Sequence, residues 1–410
     1  MEGRLSREHI VIIGAGQAAA SLAIRLRDSG YSGALTLFGD EGHPPYQRPP
    51  LSKAYLKRDW TVDRLYLRPE AFWSDRGVQV AAATAVTAID PVSHTLVAGG
   101  RTFGWTRLAL ATGTRPRPLP PGFAGLSGVH ELRTLADADR LEREIRPGRR
   151  LLVLGGGYVG LETAAVAVQA GLDVVVVERA PRILERVACA ETSAIIRALH
   201  ARNGVRILEG RSIARVEARD GAIAGVELED GEQLAVDAAL VGIGVLPRDE
   251  LARAAGIACD NGIVVDEFGR TSAPDVWAAG DCAAFPFEGV RTRLESVQNA
   301  VDQAECVADD MLGRSRPYAP VPWFWSDQYD VKLQIAGLNR GYDAVVHRRS
   351  ERGESLWYFR AGRMIAVDAV NDARTYMAAK KMLEAGMAIS LAEASEPGFD
   401  PVARMRRPAA

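Results

Sequence analysis

The chain has 410 residues, is 47% hydrophobic and 25% charged, and carries a formal net charge of −2. That length predicts two or three domains with ample core. The near-neutral balance argues against a nucleic-acid or membrane-surface role, and no apolar run approaches the roughly 20 residues of a membrane span. The opening MEGRLSREH has no signal-peptide core, because Ile10–Ile13 runs straight into Gly14; the expected location is the cytoplasm. The four cysteines, Cys189, Cys259, Cys282 and Cys306, form no C-x-x-C pair and have no metal-ligand spacing with a histidine. They read as buried or inert thiols, and no metal site is expected.

His9–Ala20, HIVIIGAGQAAA, predicts a strand, a tight turn and a helix running to about Ser29. Gly14, Gly16 and Ala19 stand at G-x-G-x-x-A spacing, the pattern that lets a pyrophosphate approach the backbone at a helix N-terminus. The next strand, Ala34–Phe38, ends at Gly39-Asp40-Glu41, where Asp40 is the better candidate for a ribose contact. The loop HPPYQRPPLSK, residues 43–53, has four prolines. It is stiff enough to hold Arg48 and Lys53 beside a ligand, although a solvated basic loop has the same composition. Val78–Ala111 reads as short antiparallel strands with turns at Asp90-Pro91 and Gly99-Gly100, ending in LALATG.

Residues 150–186 repeat the plan in fuller form. Leu151–Leu154 is an apolar strand, and Gly155, Gly157 and Gly160 give G-x-G-x-x-G before a helix that Gly171 closes. Asp173–Val177 is the next strand, and Glu178 ends it. An acid there holds the ribose 2′-hydroxyl of NAD. A helix near Glu191–Asn203 and strands across Val205–Val241 lead to ALVGIG, the counterpart of LALATG. Both halves are thus a glycine-motif βαβ unit, a meander and a return strand, which implies an internal duplication of nucleotide-binding domains.

Asp281 then follows the strand Val276–Ala279 at the edge where open α/β sheets bind ligands; a turn or cap acid is the plainer alternative. Arg293–Asp310 predicts a helix whose positive N-terminus, if it starts near Ser296, would face an anionic ring. Beyond the linker Pro317–Pro322, strand-like alternation and a helix near Ala373–Ala385 predict a third, α+β domain. Trp323-Phe324-Trp325 lies at its entrance, and the tail after Pro397 is expected to be poorly ordered. The expected fold is α/β: two Rossmann-like dinucleotide-binding domains plus a C-terminal α+β domain. Its segments are 1–115 with 245–320, 116–244, and 321–410.

The motifs RPPLSK (48–53), LRTL (132–135), GGGYVGLE (155–162), GIGVLP (242–247), TSAPDVWAAGD (271–281), ESVQNA (295–300) and PWFWSDQ (322–328) together resemble the FAD-dependent NADH:ferredoxin reductases of oxygenase systems, the putidaredoxin reductase family. Rubredoxin reductases and apoptosis-inducing factor are more distant relatives. The resemblance runs from about residue 8 to residue 390 and implies a glutathione-reductase-like flavoprotein architecture, with FAD on the first fold (FAD-binding segments 1–115 and 245–320) and NADH on the second (NAD-binding segment 116–244). By motif match it assigns Gly14, Gly16, Ala18, Asp40, Arg48, Lys53, Val86, Arg133, Asp281 and Val297 to FAD, with Trp325 near the ring. It assigns Gly155, Gly157, Tyr158, Gly160, Glu178 and the Gly242–Gly244 turn to NADH, and it implies that Lys53 pairs with Glu162 beside the reactive edge of the flavin. The implied partner is a 2Fe-2S ferredoxin that feeds a monooxygenase or a ring-hydroxylating dioxygenase.

Two rival readings make different demands. A disulfide-linked flavoenzyme needs a redox-active cysteine beside the flavin, yet none occurs before Cys189. A nucleotide-gated binding protein like apoptosis-inducing factor needs a strongly basic surface, which the charge balance does not favour. Glu178 favours NADH, while Arg179 beside it is of the type that accepts a 2′-phosphate. For docking of an acidic ferredoxin, the candidate cations are Arg291, Arg293, Arg314, Arg316, Lys380 and Lys381.

Overall fold

The computed structural model of the chain describes residues 8–351 and 353–406. The reading of the first seven residues as lacking a signal core therefore lies outside the described part. The chain divides into two compact units, one of residues 8–47, 61–115 and 245–320, the other of residues 48–60, 116–244 and 321–406. Residues 48–60, which carry Arg48 and Lys53, fall in the second unit and not with the glycine turn that precedes them.

The first unit is built on a parallel sheet of five strands in the order Val276–Ala278, Arg107–Leu110, His9–Ile13, Ala34–Phe38, Val78–Ala81. Its central strand is buried on both faces. Ile10 and Ile12 enter a core with Leu22, Leu26 and Val307, while Val11 and Ile13 enter another with Leu96, Trp105 and Phe285. A continuous apolar run is what such a strand requires. Helices Gln17–Asp28 and Val297–Met311 supply residues of the first core. Antiparallel pairing, expected across Val78–Ala111, is confined to the middle strands Val86–Asp90, Thr95–Ala98 and Arg101–Gly104. The flanking strands join the parallel sheet instead; Leu108–Leu110 is wholly buried, as an inner strand of a covered sheet must be.

The second unit repeats the scheme with strands Arg206–Glu209, Asp173–Glu178, Arg150–Leu154, Ala238–Val241 and Val129–His130, all parallel. Leu151 and Val153 face one core, with Ala164 and Val174; Leu152 and Leu154 face the other, with Phe123 and Val241. The unit also contains an antiparallel sheet of five strands in the order Trp323–Gln328, Val331–Gly337, Arg363–Val370, Glu354–Arg360, Ala344–Arg349. Helix Ala373–Glu384 covers it through Ala378, Ala379 and Met382. The tail is ordered further than its composition suggests. Asp400 caps a short helix, Pro401–Met405, and Phe399, Val402 and Met405 pack on the same core, with Phe399 edge-on to Trp357 at 5.3 Å. Three apolar residues at helical spacing give this tail a face to bury.

Candidate functional site

In the first unit, Gly14 has φ +125, and a Cβ there would lie 2.1 Å from the Ala111 carbonyl oxygen. Only glycine lets the turn pass the end of the neighbouring strand. Gly16 is the N-cap of helix Gln17–Asp28, a Cβ on it would meet nothing within 4 Å, no side chain caps the helix, and its first turn holds no acid. The first-turn N–H groups are thus left for an anion. Ala18 is buried, and its Cβ lies 3.0 Å from where a Cβ on Gly280 would stand. The Gly280 N–H donates to Gln303 Oε1 at 2.8 Å, which fixes the turn that presents Asp281. Val297 opens helix Val297–Met311, whose N-cap Ser296 accepts from the Asn299 N–H. Val86 is half-buried at the start of its strand. Asp40 accepts from Arg248 Nη1 at 2.8 Å, a cation that no motif had singled out.

The second unit carries the same device. Gly155 has φ +108, and its Cβ would meet the Gly242 oxygen at 2.5 Å; a Cβ on Gly160 would meet the Gly155 oxygen at 2.4 Å. Gly157 caps helix Tyr158–Gln169 with open space around it, no capping side chain and no first-turn acid. Glu178 accepts from the Gly156 and Ala180 N–H groups, each at 2.7 Å, so it braces the glycine turn from below. Gly244 has φ +100 and accepts from the Arg117 N–H at 3.0 Å. Tyr158 turns its ring inward onto Phe324, centroids 4.7 Å apart, and buries its hydroxyl. What it offers a nucleotide is its backbone N–H at the first helical position. Two helix N-termini left uncapped by side chains, each behind a glycine turn with no room for a Cβ, fit the pyrophosphates of two dinucleotides.

Also in the second unit, the Pro49–Ser52 turn delivers Ser52 and Lys53 to Glu162 on helix Tyr158–Gln169. Lys53 Nζ and Ser52 Oγ each donate to Glu162 Oε2 at 2.6 Å. Ser326 Oγ donates to Oε1 at 2.7 Å. The carboxylate is 4% exposed and the ammonium 19%, so Lys53 is the open end of a closed pair. Ser52 and Ser326 stand inside the motifs RPPLSK and PWFWSDQ, yet nothing in those motifs marked them as donors to Glu162. Arg48 Nη1 donates to the Arg133 carbonyl at 2.7 Å, which brings two further assigned residues together. Strand alternation divides the aromatic cluster. Phe324, Ser326 and Gln328 lie on one face of strand Trp323–Gln328, and Trp323 and Trp325 on the other, 5.8 Å apart.

All four cysteines are free. Burial raises the pKa of Cys282, whose Sγ donates to the Leu110 and Ala279 carbonyls, and pushes Cys306 up to about 11. Cys189, Cys282 and Cys306 are buried and Cys259 is half-buried, and none forms a disulfide. Among the described residues there is no cluster of metal-ligating side chains, and no helix is long and apolar enough to cross a membrane.

Residues 8–304 match the family Pyridine nucleotide-disulphide oxidoreductase, and residues 323–403 match Reductase C-terminal. Rhodocoxin reductase of Rhodococcus erythropolis is 43% identical over 95% of this chain and 93% of its own length. The crystal structure of the ferredoxin reductase for the CYP199A2 system of Rhodopseudomonas palustris is similar with a TM-score of 0.94 and 40% identity, covering 98% of this chain and 100% of that one. The reductase in the covalent putidaredoxin reductase–putidaredoxin complex gives 0.93 and 38%, covering 97% and 98%. With two glycine-turn folds, a reductase C-terminal domain and no redox cysteine pair, the chain belongs to the pyridine nucleotide-disulphide oxidoreductase family, among its ferredoxin reductases.

Proposed function

We propose that this protein is a cytoplasmic NADH-dependent flavoprotein reductase that passes electrons to a 2Fe-2S ferredoxin serving a monooxygenase or a ring-hydroxylating dioxygenase. The observation that carries this reading is the Lys53–Glu162 pair in a chain with two uncapped glycine-turn helices and no disulfide. Bound FAD would supply the conversion between a two-electron hydride donor and a one-electron acceptor. The first unit's Gly14, Gly16 and Ala18 turn, with Asp40, Val86, Asp281 and Val297, holds FAD. The second unit's Gly155, Gly157, Gly160 and Gly242–Gly244 turns hold NADH, with the backbone of Tyr158 and the carboxylate of Glu178. By the family resemblance, Lys53, anchored by Glu162, would bring a positive charge to the flavin, and Arg48, Arg133 and Trp325 are the second unit's other expected contacts with it.

For the ferredoxin, the candidate cations differ in their partners. Lys380 is tied to Glu384, Arg316 to Asp309, Arg291 to Asp260 and Arg293 to Glu295, while Arg314 donates to the Ser29 carbonyl. Lys381 and Arg374 make no ion pair among the described residues, and Met377 between them is 48% exposed. That helix face is the docking surface this reading selects.

The test is to denature the purified protein and identify released FAD, then to follow NADH-driven reduction of a 2Fe-2S ferredoxin with a rubredoxin as competitor. FAD release and ferredoxin preference are expected, and Lys381→Glu should slow ferredoxin reduction about threefold at low salt while NADH still reduces the flavin normally. A protein without flavin, or one that prefers rubredoxin, overturns the reading.

A further inference from the structure

A buried line of polar side chains in the second unit leads away from Glu162. Ser326 Oγ, which donates to Glu162, accepts from Gln328 Nε2 at 3.1 Å. Gln328 Oε1 lies 2.7 Å from His200 Nε2, and His200 Nδ1 lies 3.1 Å from the Tyr329 hydroxyl. Ser326 and His200 are 0% exposed and Gln328 is 2%. Burial lowers the pKa of His200, which disfavours the charged ring.

The donors in this line have one consistent order. A serine hydroxyl has a single proton, and beside a carboxylate that proton goes to Glu162. Ser326 must then accept from Gln328, so the Gln328 amide turns its oxygen to His200. That oxygen can only accept, so His200 carries its proton on Nε2 and takes the Tyr329 proton on Nδ1. Every donor points toward Glu162. Tyr329 is held in place from the backbone, at φ +57 in the tight turn after strand Trp323–Gln328. The arrangement is costly to disturb, because Ser326, Gln328 and His200 are buried polar groups bonded to their neighbours in the line, with the half-buried Tyr329 at its outer end.

We propose that His200 and Gln328 are positioning residues for Lys53: with Ser326 they form a one-way chain of donors that orients the Glu162 carboxylate and, through it, the Lys53 ammonium. The proposal rests on the reading of Lys53 as the cation at the flavin edge. It gives a task to a histidine far from either glycine turn in sequence, and it explains why strand Trp323–Gln328 places polar residues at two consecutive inward positions, next to Phe324, where a core strand would place apolar ones.

Two measurements on the full-length protein test it. Histidine nitrogen NMR of the wild type should show His200 as the Nε2–H tautomer at neutral pH, and Gln328→Leu should abolish that preference. In stopped flow of the flavin-loaded protein, His200→Leu and Gln328→Leu should each slow flavin reduction about fivefold at unchanged NADH affinity, and neither should slow it further in a Ser326→Ala background. His200→Gln, which keeps an N–H donor within reach of the same acceptor, should recover most of the rate. Additive losses with Ser326→Ala, or a His200 that is protonated or carries its proton on Nδ1, overturn the proposal. If the variants fail to fold, the wild-type tautomer decides alone. A protein whose flavin NADH does not reduce, yet whose His200 is the Nε2–H tautomer, overturns the functional reading and leaves the donor chain supported.

Discussion

The two glycine-turn folds share a plan and differ in how tightly each is closed. In the first, the third motif position is Ala19, fully buried, so the helix stands off its strand by at least a methyl group. In the second the position is Gly160, where a Cβ would lie 2.4 Å from the Gly155 oxygen, and helix and turn are in backbone contact. The acids at the ends of the second strands differ too. Glu178 bonds back to its own glycine turn, whereas Asp40 is drawn to Arg248. A duplicated scaffold can thus keep its phosphate cradle while its ribose end is rebuilt, because the cradle is backbone and the ribose end is side chain.

The sharpest way to break the pairing is to add one methyl group to each turn. Gly14→Ala forces a Cβ into the Ala111 carbonyl at 2.1 Å. The expected product is protein that retains no flavin, with a stability loss above about 4 kcal/mol, read from flavin absorbance and melting. Gly155→Ala should keep its flavin and lose NADH affinity on the order of hundredfold, or about 3 kcal/mol. Flavin loss in both variants, or in neither, would mean the folds do not divide the two nucleotides as proposed.

Next in size is the Lys53–Glu162 ion pair of the second unit. Lys53→Met leaves Glu162 buried with hydroxyl donors alone, and the expected cost is about 3 kcal/mol of stability. Stopped-flow reduction should slow far more than NADH binding weakens. An unchanged rate would remove Lys53 from the chemistry.

Buried acids separate the units by pH. In the first, burial would raise Asp310, but Arg270, Ser315 and Trp277 outweigh it and hold its pKa below the ordinary value. In the second, burial pushes Asp368 up to about 6, and the Tyr358 and Thr192 hydroxyls offset that only in part. The signs are opposite. Asp368 binds its proton more tightly folded than unfolded, so stability falls as pH rises from about 4 to 6, by roughly 3 kcal/mol for two pKa units. Asp310 binds its proton more weakly when folded, so its contribution is present above pH ~4 and is lost as pH falls below that. Melting curves from pH 3 to 8 should show the Asp368 limb vanish in Asp368→Asn and the acid limb shrink in Arg270→Ala. A single limb untouched by either change would contradict these assignments.

The smallest expected effect lies at the ribose end. Glu178→Ala should narrow the preference for NADH over NADPH by about tenfold, and Arg179→Ala, which removes an exposed cation, should widen it. Equal use of both nucleotides by the wild type would show Arg179 outweighing its neighbour.

What the sequence disclosed and what it hid divide along the range of the interaction. Gly14, Gly155 and Gly160 are legible because a turn with no room for a Cβ accepts no other residue. The parallel strands are legible because a strand buried on both faces is apolar throughout. Glu162 and Lys53 were joined by family resemblance, 109 positions apart. Ser326, His200 and Arg248 were missed because a hydroxyl, an imidazole or a guanidinium takes its meaning from a partner brought up by the fold. The tail helix was missed because its signal is three apolar residues among polar ones.

The path of the chain between the two units has a genetic corollary. The polypeptide leaves one compact unit for the other after residues 47, 60, 115, 244 and 320. The first unit's sheet needs Val276–Ala278, and the second unit's antiparallel sheet starts only at Trp323. Synthesis must therefore reach Ala278 before the first sheet can close, and must pass Trp323 before the antiparallel sheet can begin. No single crossover between two related genes can exchange one unit whole and leave the other intact. Such a protein should diversify by substitution inside its frame rather than by exchange of either interleaved unit.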